Sequence, residues 1–477
     1  MWSRNQLDSF AIDGGLPVQS FRLMIALVAS CIIAPSIHLC GTENSRHIWN
    51  VLLGIMAGIF VFDYAIIHSL LTVFLFYVAL HLCPRRIAGK LITSALFVYL
   101  LACHYYREFH APDIAWDASQ MIVTLKLSSI AINYSDAIMP ADRKTPLIKK
   151  NQLQEVPPLL SILGFVLFYP GFLVGPLFEF KDYLYWMREC RFPPLLVCVR
   201  NFILILISGA GLAASFRYPI ERIDAPDFHR EKPWAVRCLL MCMSVMLHRF
   251  RYYVVWSLAE AASAFAGVGY VPSTGKWNGI TNNNLLCVEI PPNVRVCINS
   301  WNIGVARWIN TYVYQRVFLS KSTGKPTMIS TISSFFISAL WHGLSPGYYL
   351  FFILSALYIE VGKQLRRRLR PFFHYTEDRS AHSHAIFISY WKGKSHPLAF
   401  LYDIAGVFLT WIAMQYGGIA FQILDIRRCL KLWASWYFLP QVICVVVLLL
   451  AHMFPNTPKI NHASKTSKSA NTAIKEL

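Results

Sequence analysis

The chain has 477 residues, of which 56% are hydrophobic and only 14% are charged, and its mean hydropathy is +0.44. Because a soluble domain carries about 25% charged residues, this composition excludes an ordinary set of soluble domains and indicates a polytopic membrane protein. The net charge of +19 does not indicate nucleic-acid binding, since the basic residues cluster between apolar runs and accompany no nucleic-acid-binding motif.

Apolar runs suited to crossing a bilayer follow one another along the chain. They lie at residues 21–39, 48–62, 64–83, 91–107, 158–178, 196–216, 233–247, 329–341, 345–361, 397–424 and 428–452. Several are shorter than the roughly 20 residues of a full span, which is typical of helices buried in protein or of re-entrant segments beside a cavity. We therefore predict an all-α polytopic membrane protein with about eleven transmembrane or re-entrant helices around a tunnel.

The chain divides into three parts by composition. Residues 1–20 form an N-terminal segment, 21–453 form the multi-pass membrane domain, and 454–477 form a polar tail that we predict to be disordered. The start lacks the pattern of a cleavable signal peptide, so we expect the first apolar run to remain as a membrane helix. The twelve cysteines are scattered without CxxC pairs, which indicates neither a disulfide framework nor a metal site.

A histidine stands inside the apolar stretch FFISALWHGLSPGYYLFFI, at residues 335–353. An ionisable residue in a membrane segment is costly and is by default a candidate functional residue, although His342 could also hydrogen-bond between helices in a structural role. Gly343, Pro346 and Gly347 should end the helix just after it, as happens where backbone lines a cavity. Histidine is also the side chain best suited to act as a base near neutral pH.

An amide precedes this histidine by 40 residues, in SWNIGVARWINTYVYQRV at 300–317. Most of this stretch has the pattern of an amphipathic interfacial helix with an aromatic belt. Asn302 differs, because an amide can donate a hydrogen bond to a developing oxyanion or to a ligand. The sequence does not establish that it faces His342.

Basic and aromatic residues also cluster at RFRYYVVW, residues 249–256. Arg249, Arg251 and Tyr253 could lie at the membrane surface with their charges in water, or they could bind a phosphate. The segment YPGFLVGPLFEFKDYLYWM at 169–187 contains two Pro and two Gly, which should break a helix inside the bilayer.

Four short motifs, in order along the chain, together resemble the membrane-bound O-acyltransferase family, and within it the lysophospholipid acyltransferase branch. RFRYYVVW is similar to R-x-K-Y-Y-x-x-W, with Arg251 in place of the usual Lys. SWNIGVARWINTYVYQR resembles a WN-x(5)-W motif, SALWHGLSPGYYLFF resembles a WHG-x-x-x-GY motif, and YGGIAF at 416–421 fits a Y-x(4)-F signature that begins with Tyr416.

The resemblance implies an acyl-CoA-dependent transfer to the free hydroxyl of a lysophospholipid, with lysophosphatidylethanolamine or lysophosphatidylserine favoured and lysophosphatidylcholine also open. It implies that His342 is the general base and that Asn302 orients the thioester or stabilises the oxyanion. Trp301 and Trp341 are expected to form part of the wall of the site where the two substrates come together. Other candidate substrate-binding or CoA-binding residues are Arg249, Arg251, Tyr253 and Tyr416. No metal or cofactor is expected, because acyl-CoA is a co-substrate.

The resemblance also implies a multi-pass protein of the endoplasmic reticulum membrane that acts in phospholipid remodelling, surrounded by membrane lipids, and it leaves a homodimer open. Three alternatives remain at this stage: a protein O-acyltransferase of the same family, a sterol or diacylglycerol acyltransferase, and a multi-pass transporter with His342 as a gate or proton relay. The transporter lacks support from an internal repeat.

Overall fold

The computed structural model describes residues 4–14, 17–110, 116–320, 324–373 and 397–453. These residues are predominantly helical, which confirms the predicted all-α membrane fold. Two short strands, β1 (Tyr270–Val271) and β2 (Lys276–Trp277), pair as an antiparallel hairpin. The predicted polar tail at 454–477 lies outside the described residues.

The N-terminal half contains eleven α-helices in the described part of the chain. They are α1 (Arg4–Asp13), α2 (Val18–Ile33), α3 (Glu43–Phe62), α4 (Ile66–Leu82), α5 (Arg85–Phe109), α6 (Asp117–Asp136), α7 (Pro146–Asn151), α8 (Leu159–Val166), α9 (Tyr169–Phe172), α10 (Phe180–Glu189) and α11 (Leu195–Ser215). Short 3₁₀ segments are found at Ala34–Leu39, Asp63–Ala65, Ala141–Arg143 and Ile220–Asp224.

The rest of the described chain adds eleven more α-helices. They are α12 (Pro226–Glu231), α13 (Trp234–His248), α14 (Phe250–Phe265), α15 (Leu285–Glu289), α16 (Val294–Ser300), α17 (Ile303–Ile309), α18 (Met328–His342), α19 (Pro346–Phe373), α20 (Pro397–Ile423), α21 (Ile426–Ala434) and α22 (Leu439–Met453). A π-helical turn at Asn310–Tyr314 continues α17.

Fewer segments are long enough to cross a membrane than the sequence predicts. Within the described residues six helical stretches are long and apolar enough, or seven if the bent pair α21 and α22 is one span. The predicted runs 48–62 and 64–83 belong to one stretch, Glu43–Leu82, and the run 158–178 forms the short α8 and α9. The count of about eleven is therefore not confirmed, because Pro and Gly divide several apolar runs into pieces too short to span alone.

Helix α6 lies inside the protein, with fifteen of its 20 residues buried. It packs closely along α5 and also contacts α4. Its buried Lys126 donates hydrogen bonds from Nζ to the carbonyl oxygens of Phe165 (2.8 Å) and Val166 (3.3 Å). These carbonyls belong to the C-terminal turn of α8, where a helix leaves acceptors without intrahelical partners. Lys126 therefore joins two helices of the core.

Local signals place the ends of the helices around the predicted site. Thr327 caps α18, where its side chain accepts from Ser330 N and the Ser330 hydroxyl accepts from Thr327 N, as in a capping box. Helix α18 ends at His342 because Gly343 adopts φ 140°, and α19 begins at Pro346. The predicted break after His342 is confirmed.

Candidate active site

One cavity of about 400 Å³ contains the two residues that the sequence analysis proposed as reactive. His342 and Asn302 both line it, together with Trp301 and Trp341. Its walls come chiefly from α14, α16, α17, α18, α19 and α20, so residues distant in sequence meet there. The structure therefore places both residues at one cavity, a relation that the sequence left open.

Helical periodicity explains which residues of α18 and α19 line the cavity. On α18 the lining residues recur at three- or four-residue spacing, as one face of a helix requires; they are Thr331, Ser334, Ser338 and His342. On α19 the same spacing recurs in Phe351, Ser355, Ile359 and Lys363. Helix α18 supplies hydroxyls beside the histidine, whereas α19 supplies mainly apolar surface.

His342 is enclosed by aromatic rings. Its ring centroid lies 4.6 Å from that of Trp341, 4.9 Å from Phe421, and 5.4 Å from both Tyr348 and Phe352. Because Tyr348 and Phe352 stack on it and Trp341 and Phe421 meet it edge-on, the rings limit the orientations that the imidazole can adopt. The site thus holds a half-buried imidazole at the wall of an apolar cavity.

The backbone beside His342 is held by a second histidine from α5. His104 is fully buried, and its Nε2 lies 3.1 Å from the carbonyl oxygen of Trp341. Its Nδ1 lies 2.9 Å from Asp117 Oδ2, which also accepts a hydrogen bond from Arg107 Nε at 2.6 Å. The Trp341 indole donates to the carbonyl oxygen of Met121 at 3.0 Å. Helices α5 and α6 together fix the end of α18.

Asn302 stands at a backbone position of unusual geometry. It joins α16 to α17 with φ 44° and ψ 57°, the left-handed region that Asn tolerates better than most residues. Its side chain does not cap α17, which leaves the amide available to the cavity. The next residue, Ile303, donates its backbone N–H to the carbonyl oxygen of Asn282 at 2.7 Å.

A buried carboxylate fixes the segment to which Asn302 is tied. Glu260 accepts hydrogen bonds from the backbone N–H of Asn282 (3.2 Å) and from Thr281 Oγ1 (3.3 Å). Its other close partner is the guanidinium of Arg200 at 3.2 Å. The series of hydrogen bonds from Glu260 through Asn282 to Ile303 therefore fixes the position of Asn302.

A polar network anchors the π-helical turn that follows α17. The Tyr312 hydroxyl lies 2.9 Å from Glu179 Oε2 and 3.1 Å from Asn133 Oδ1. Burial raises the pKa of the Glu179 carboxyl, and its hydrogen bond with Tyr312 partly opposes that rise. Arg316 pairs with both carboxylate oxygens of Asp136 at 2.8 Å. These contacts tie the turn to α6.

The cavity is elongated, with basic residues away from the histidine. Lys363 follows Phe352 by eleven residues on α19, which places it about 17 Å further along the helix axis. Arg295 of α16 also lines the cavity, and α16 contacts α19. The cavity therefore extends well away from His342 to a partly basic region, where Lys363 Nζ is paired with Glu360 Oε2 at 3.1 Å and Arg295 also lines the wall.

The family model for the membrane-bound O-acyltransferases matches residues 101–392, which is more than half of the chain. The chain belongs to this family. It is therefore an O-acyltransferase, and the resemblance found in its motifs is confirmed. Both His342 and Asn302 lie within the matched region.

Over three quarters of its length or more, the chain is similar to proteins named as lysophospholipid or glycerophospholipid acyltransferases. The chain is 27% identical to a lysophospholipid acyltransferase of Schizosaccharomyces pombe over 75% of each protein. It is 26% identical to lysophospholipid acyltransferase 2 of Arabidopsis thaliana, over 95% of this chain and 97% of that one. It is 25% identical to membrane-bound glycerophospholipid O-acyltransferase 2 of Mus musculus, over 91% and 85%.

The other predicted binding residues are placed differently. Arg249 lines the cavity, but its guanidinium is paired with Glu289 and donates to Gln415 Oε1 at 2.5 Å. Three residues are not among those that line the cavity: Arg251, Tyr253 and Tyr416. Arg251 is exposed and the two tyrosines are fully buried. The structure therefore offers no contact of these three with a molecule in the cavity.

Several residues of this family site were not predicted from the sequence. They are His104, Glu260 and Arg295, which hold the reactive segments or line the cavity. A histidine within the apolar run 91–107 was the one signal that pointed to His104, by the same argument that selected His342. The roles of Glu260 and Arg295 depend on contacts between distant segments.

Proposed function

We propose that the protein transfers a fatty acyl group from acyl-CoA to the free hydroxyl of a lysophospholipid. The observation that carries this proposal is that His342 and Asn302, 40 residues apart in sequence, line one elongated cavity with apolar walls. The proteins similar over nearly the whole chain are named for this reaction or a closely related one, which supports the same assignment.

His342 acts as the general base in this proposal. It takes the proton of the lysophospholipid hydroxyl as that oxygen attacks the thioester carbonyl carbon. The resulting oxyanion collapses, the carbon–sulfur bond breaks, and CoA leaves with the proton that His342 returns. The aromatic rings around His342 support this role, because they pack against the imidazole and restrict its orientation.

Asn302 donates an amide N–H to the developing oxyanion or to the thioester carbonyl. Its left-handed backbone and the hydrogen bond of Ile303 to Asn282 hold the amide in a fixed place before substrate arrives. Because the amide is already in position before the reaction, little reorganisation is needed when the oxyanion forms. The hydrogen bond can therefore lower the free energy of the transition state.

Acyl-CoA suits the shape and charge of the cavity. Coenzyme A carries phosphates at the far end of a long arm from its thioester. With the thioester at His342, that arm can extend toward Arg295 and Lys363 at the other end of the cavity. The apolar surface of α19 and α20 is then available to the fatty acyl chain, with Phe351 and Phe421 among its residues.

We further propose that the acceptor headgroup is ethanolamine or serine, with choline as the next candidate, and that the enzyme acts in phospholipid remodelling in the endoplasmic reticulum. The headgroup assignment rests on the WNI…W…YQR pattern of the motif around Asn302. Fractionation of cells that express the tagged chain tests the location.

The test is acyl transfer in membranes of a host that lacks this activity. Membranes containing the wild-type chain are incubated with labelled oleoyl-CoA and a panel of lysophospholipids. We expect headgroup-dependent diacyl product from the wild type and none from His342→Ala. The matched control is His81→Ala, since His81 is an exposed histidine of α4 and should be dispensable.

Two results would contradict the proposal. Well-expressed protein that acylates no lysophospholipid would redirect the search to protein or sterol acceptors. If His342→Ala formed product at the wild-type rate, the protein would still be an acyltransferase, but His342 would not be its general base.

A further inference from the structure

The hydrogen bonds of His104 require two donors on one imidazole ring. Its Nδ1 faces the carboxylate of Asp117 at 2.9 Å, and its Nε2 faces the carbonyl oxygen of Trp341 at 3.1 Å. Both partners are acceptors that carry no proton of their own when the carboxylate is ionised. A neutral imidazole has one N–H, so it can satisfy only one of them, whereas an imidazolium satisfies both.

The end of α18 favours this charged form. Trp341 is the next-to-last residue of the helix, and its carbonyl is among those that a helix terminus leaves without an intrahelical partner. The C-terminus of a helix also carries a partial negative charge, which attracts a cation. His104 Nε2 thus faces an acceptor at the C-terminal end of a helix.

His104 also lies near the chain on the other side of His342. A Cβ atom added at Gly343 would come within 3.8 Å of His104 Cγ, which is van der Waals distance. His104 therefore bonds the residue before His342 and lies close to the residue after it. A change at His104 removes one of the contacts that hold the backbone from which the His342 imidazole projects.

The surrounding charges balance within the described residues. Arg107 and Glu108 face this region from α5, and Asp117 faces it from α6. Helix α18 contributes His342, and α19 contributes the Tyr348 ring beside Gly343. With His104 protonated, two cations stand against two carboxylates, so the buried imidazolium is compensated.

We propose that His104 is held as an imidazolium between Asp117 and the Trp341 carbonyl, and that it is a positioning residue for His342. It acts through the main chain rather than on substrate. The proposal rests on the proposed role of His342 as base, and it adds to the reaction a second histidine that the family motifs do not contain.

The protonation state can be measured without any assay of activity. Protein labelled with ¹⁵N-histidine is reconstituted in lipid nanodiscs, and the His104 signals are identified by their loss in His104→Asn. We expect both ring nitrogens of His104 to carry a proton at neutral pH, and Asp117→Asn to abolish this signature. A spectrum in which either nitrogen is bare in the wild type overturns the proposal.

Kinetics then test the positioning role. We expect His104→Asn to lower kcat about 100-fold, the size of effect that a small misplacement of a reactive group produces, while the KM values for both substrates change little. The matched control is His47→Asn, because His47 is also a buried histidine that hydrogen-bonds, here to the Tyr183 hydroxyl at 2.8 Å, and does not line the cavity.

A folded His104→Asn enzyme with the wild-type kcat also overturns the proposal. If His104→Asn does not fold, Asp117→Asn is measured instead, since it keeps the imidazole and removes the anion that stabilises its charge. An unchanged kcat in Asp117→Asn likewise overturns the proposal. Failure of the proposed function is recognised separately, because the wild type would then acylate no lysophospholipid while the nitrogen spectrum would stand unaffected.

Discussion

The guanidinium of Arg249 and the carboxylate of Glu289 form a two-pronged ion pair inside the protein, with N–O distances of 3.1 and 2.5 Å. The same carboxylate accepts a hydrogen bond from the Tyr253 hydroxyl at 2.5 Å. Little of either ionic side chain is exposed, at 12% for Arg249 and 16% for Glu289. The guanidinium of Arg249, which the sequence suggested as a phosphate ligand, is therefore already paired with a carboxylate of the protein.

Removal of this carboxylate should destabilise the fold. We expect Glu289→Gln to lower stability by about 3–5 kcal/mol, because it leaves the Arg249 charge buried without compensation. The measurement is thermal unfolding in detergent. Asp224→Asn is the control and should cost about 1 kcal/mol or less, since its partners Arg428 and Lys431 are 46% and 62% exposed and water can solvate their charges. A stable Glu289→Gln protein with an altered KM for acyl-CoA would instead make Arg249 a ligand.

Two substitutions at Asn302 separate its backbone from its amide. Asn302→Gly keeps the left-handed conformation and removes only the side chain, so we expect a folded enzyme with kcat lowered about 100-fold or more. Asn302→Ala should lose the same activity and a further 1–2 kcal/mol or so of stability, because φ 44° is strained for alanine. Equal activity of Asn302→Gly and wild type in the acyl-transfer assay would remove the amide from the mechanism.

Gly304 is the point where α17 approaches the backbone of another segment. A Cβ atom there would lie 2.4 Å from the carbonyl oxygen of Leu177 and 3.0 Å from its nitrogen. Since backbone cannot yield as a side chain can, Gly304→Ala should cost at least about 1–3 kcal/mol and displace Asn302, with loss of both stability and kcat.

The matched control for that substitution is Gly209→Ala. Gly209 lies within α11, and nothing is found within 4 Å of its added Cβ. We expect this variant to be unchanged or stabilised by about 0.5–1 kcal/mol, because alanine favours a helix. If thermal unfolding and turnover show no difference between the two variants, the close approach at Leu177 does not constrain the site.

Tyr416, which begins the YGGIAF signature, should prove structural. It is fully buried, donates to Gln441 Oε1 at 2.8 Å and stacks on Trp433. We expect Tyr416→Phe to lose about 1 kcal/mol of stability and to keep kcat and both KM values. Tyr437→Phe is the control, since Tyr437 is 75% exposed. A changed KM in Tyr416→Phe would show contact with substrate.

The membrane class, the all-helical fold and the family were all predictable from the amino-acid sequence. These conclusions depend on local properties: apolar composition, the spacing of motif residues, and Gly and Pro at the ends of helices. The break between α18 and α19 was predictable for this reason, because Gly343 and Pro346 act on their own turn of the chain. His342 was identifiable because an ionisable residue among apolar neighbours is conspicuous in any arrangement.

Which polar residues meet was not predictable, because it depends on how distant segments of the chain pack. The structure supplies this information. It placed Asn302 in the same cavity as His342, paired Arg249 with Glu289, and brought His104 from α5 to the end of α18. It also reduced the number of candidate spans, because several of the predicted apolar runs are divided into short helices. The physical reason is that a charge or hydrogen-bonding group finds its partner across the packed core, where separation along the chain carries no information about distance in space.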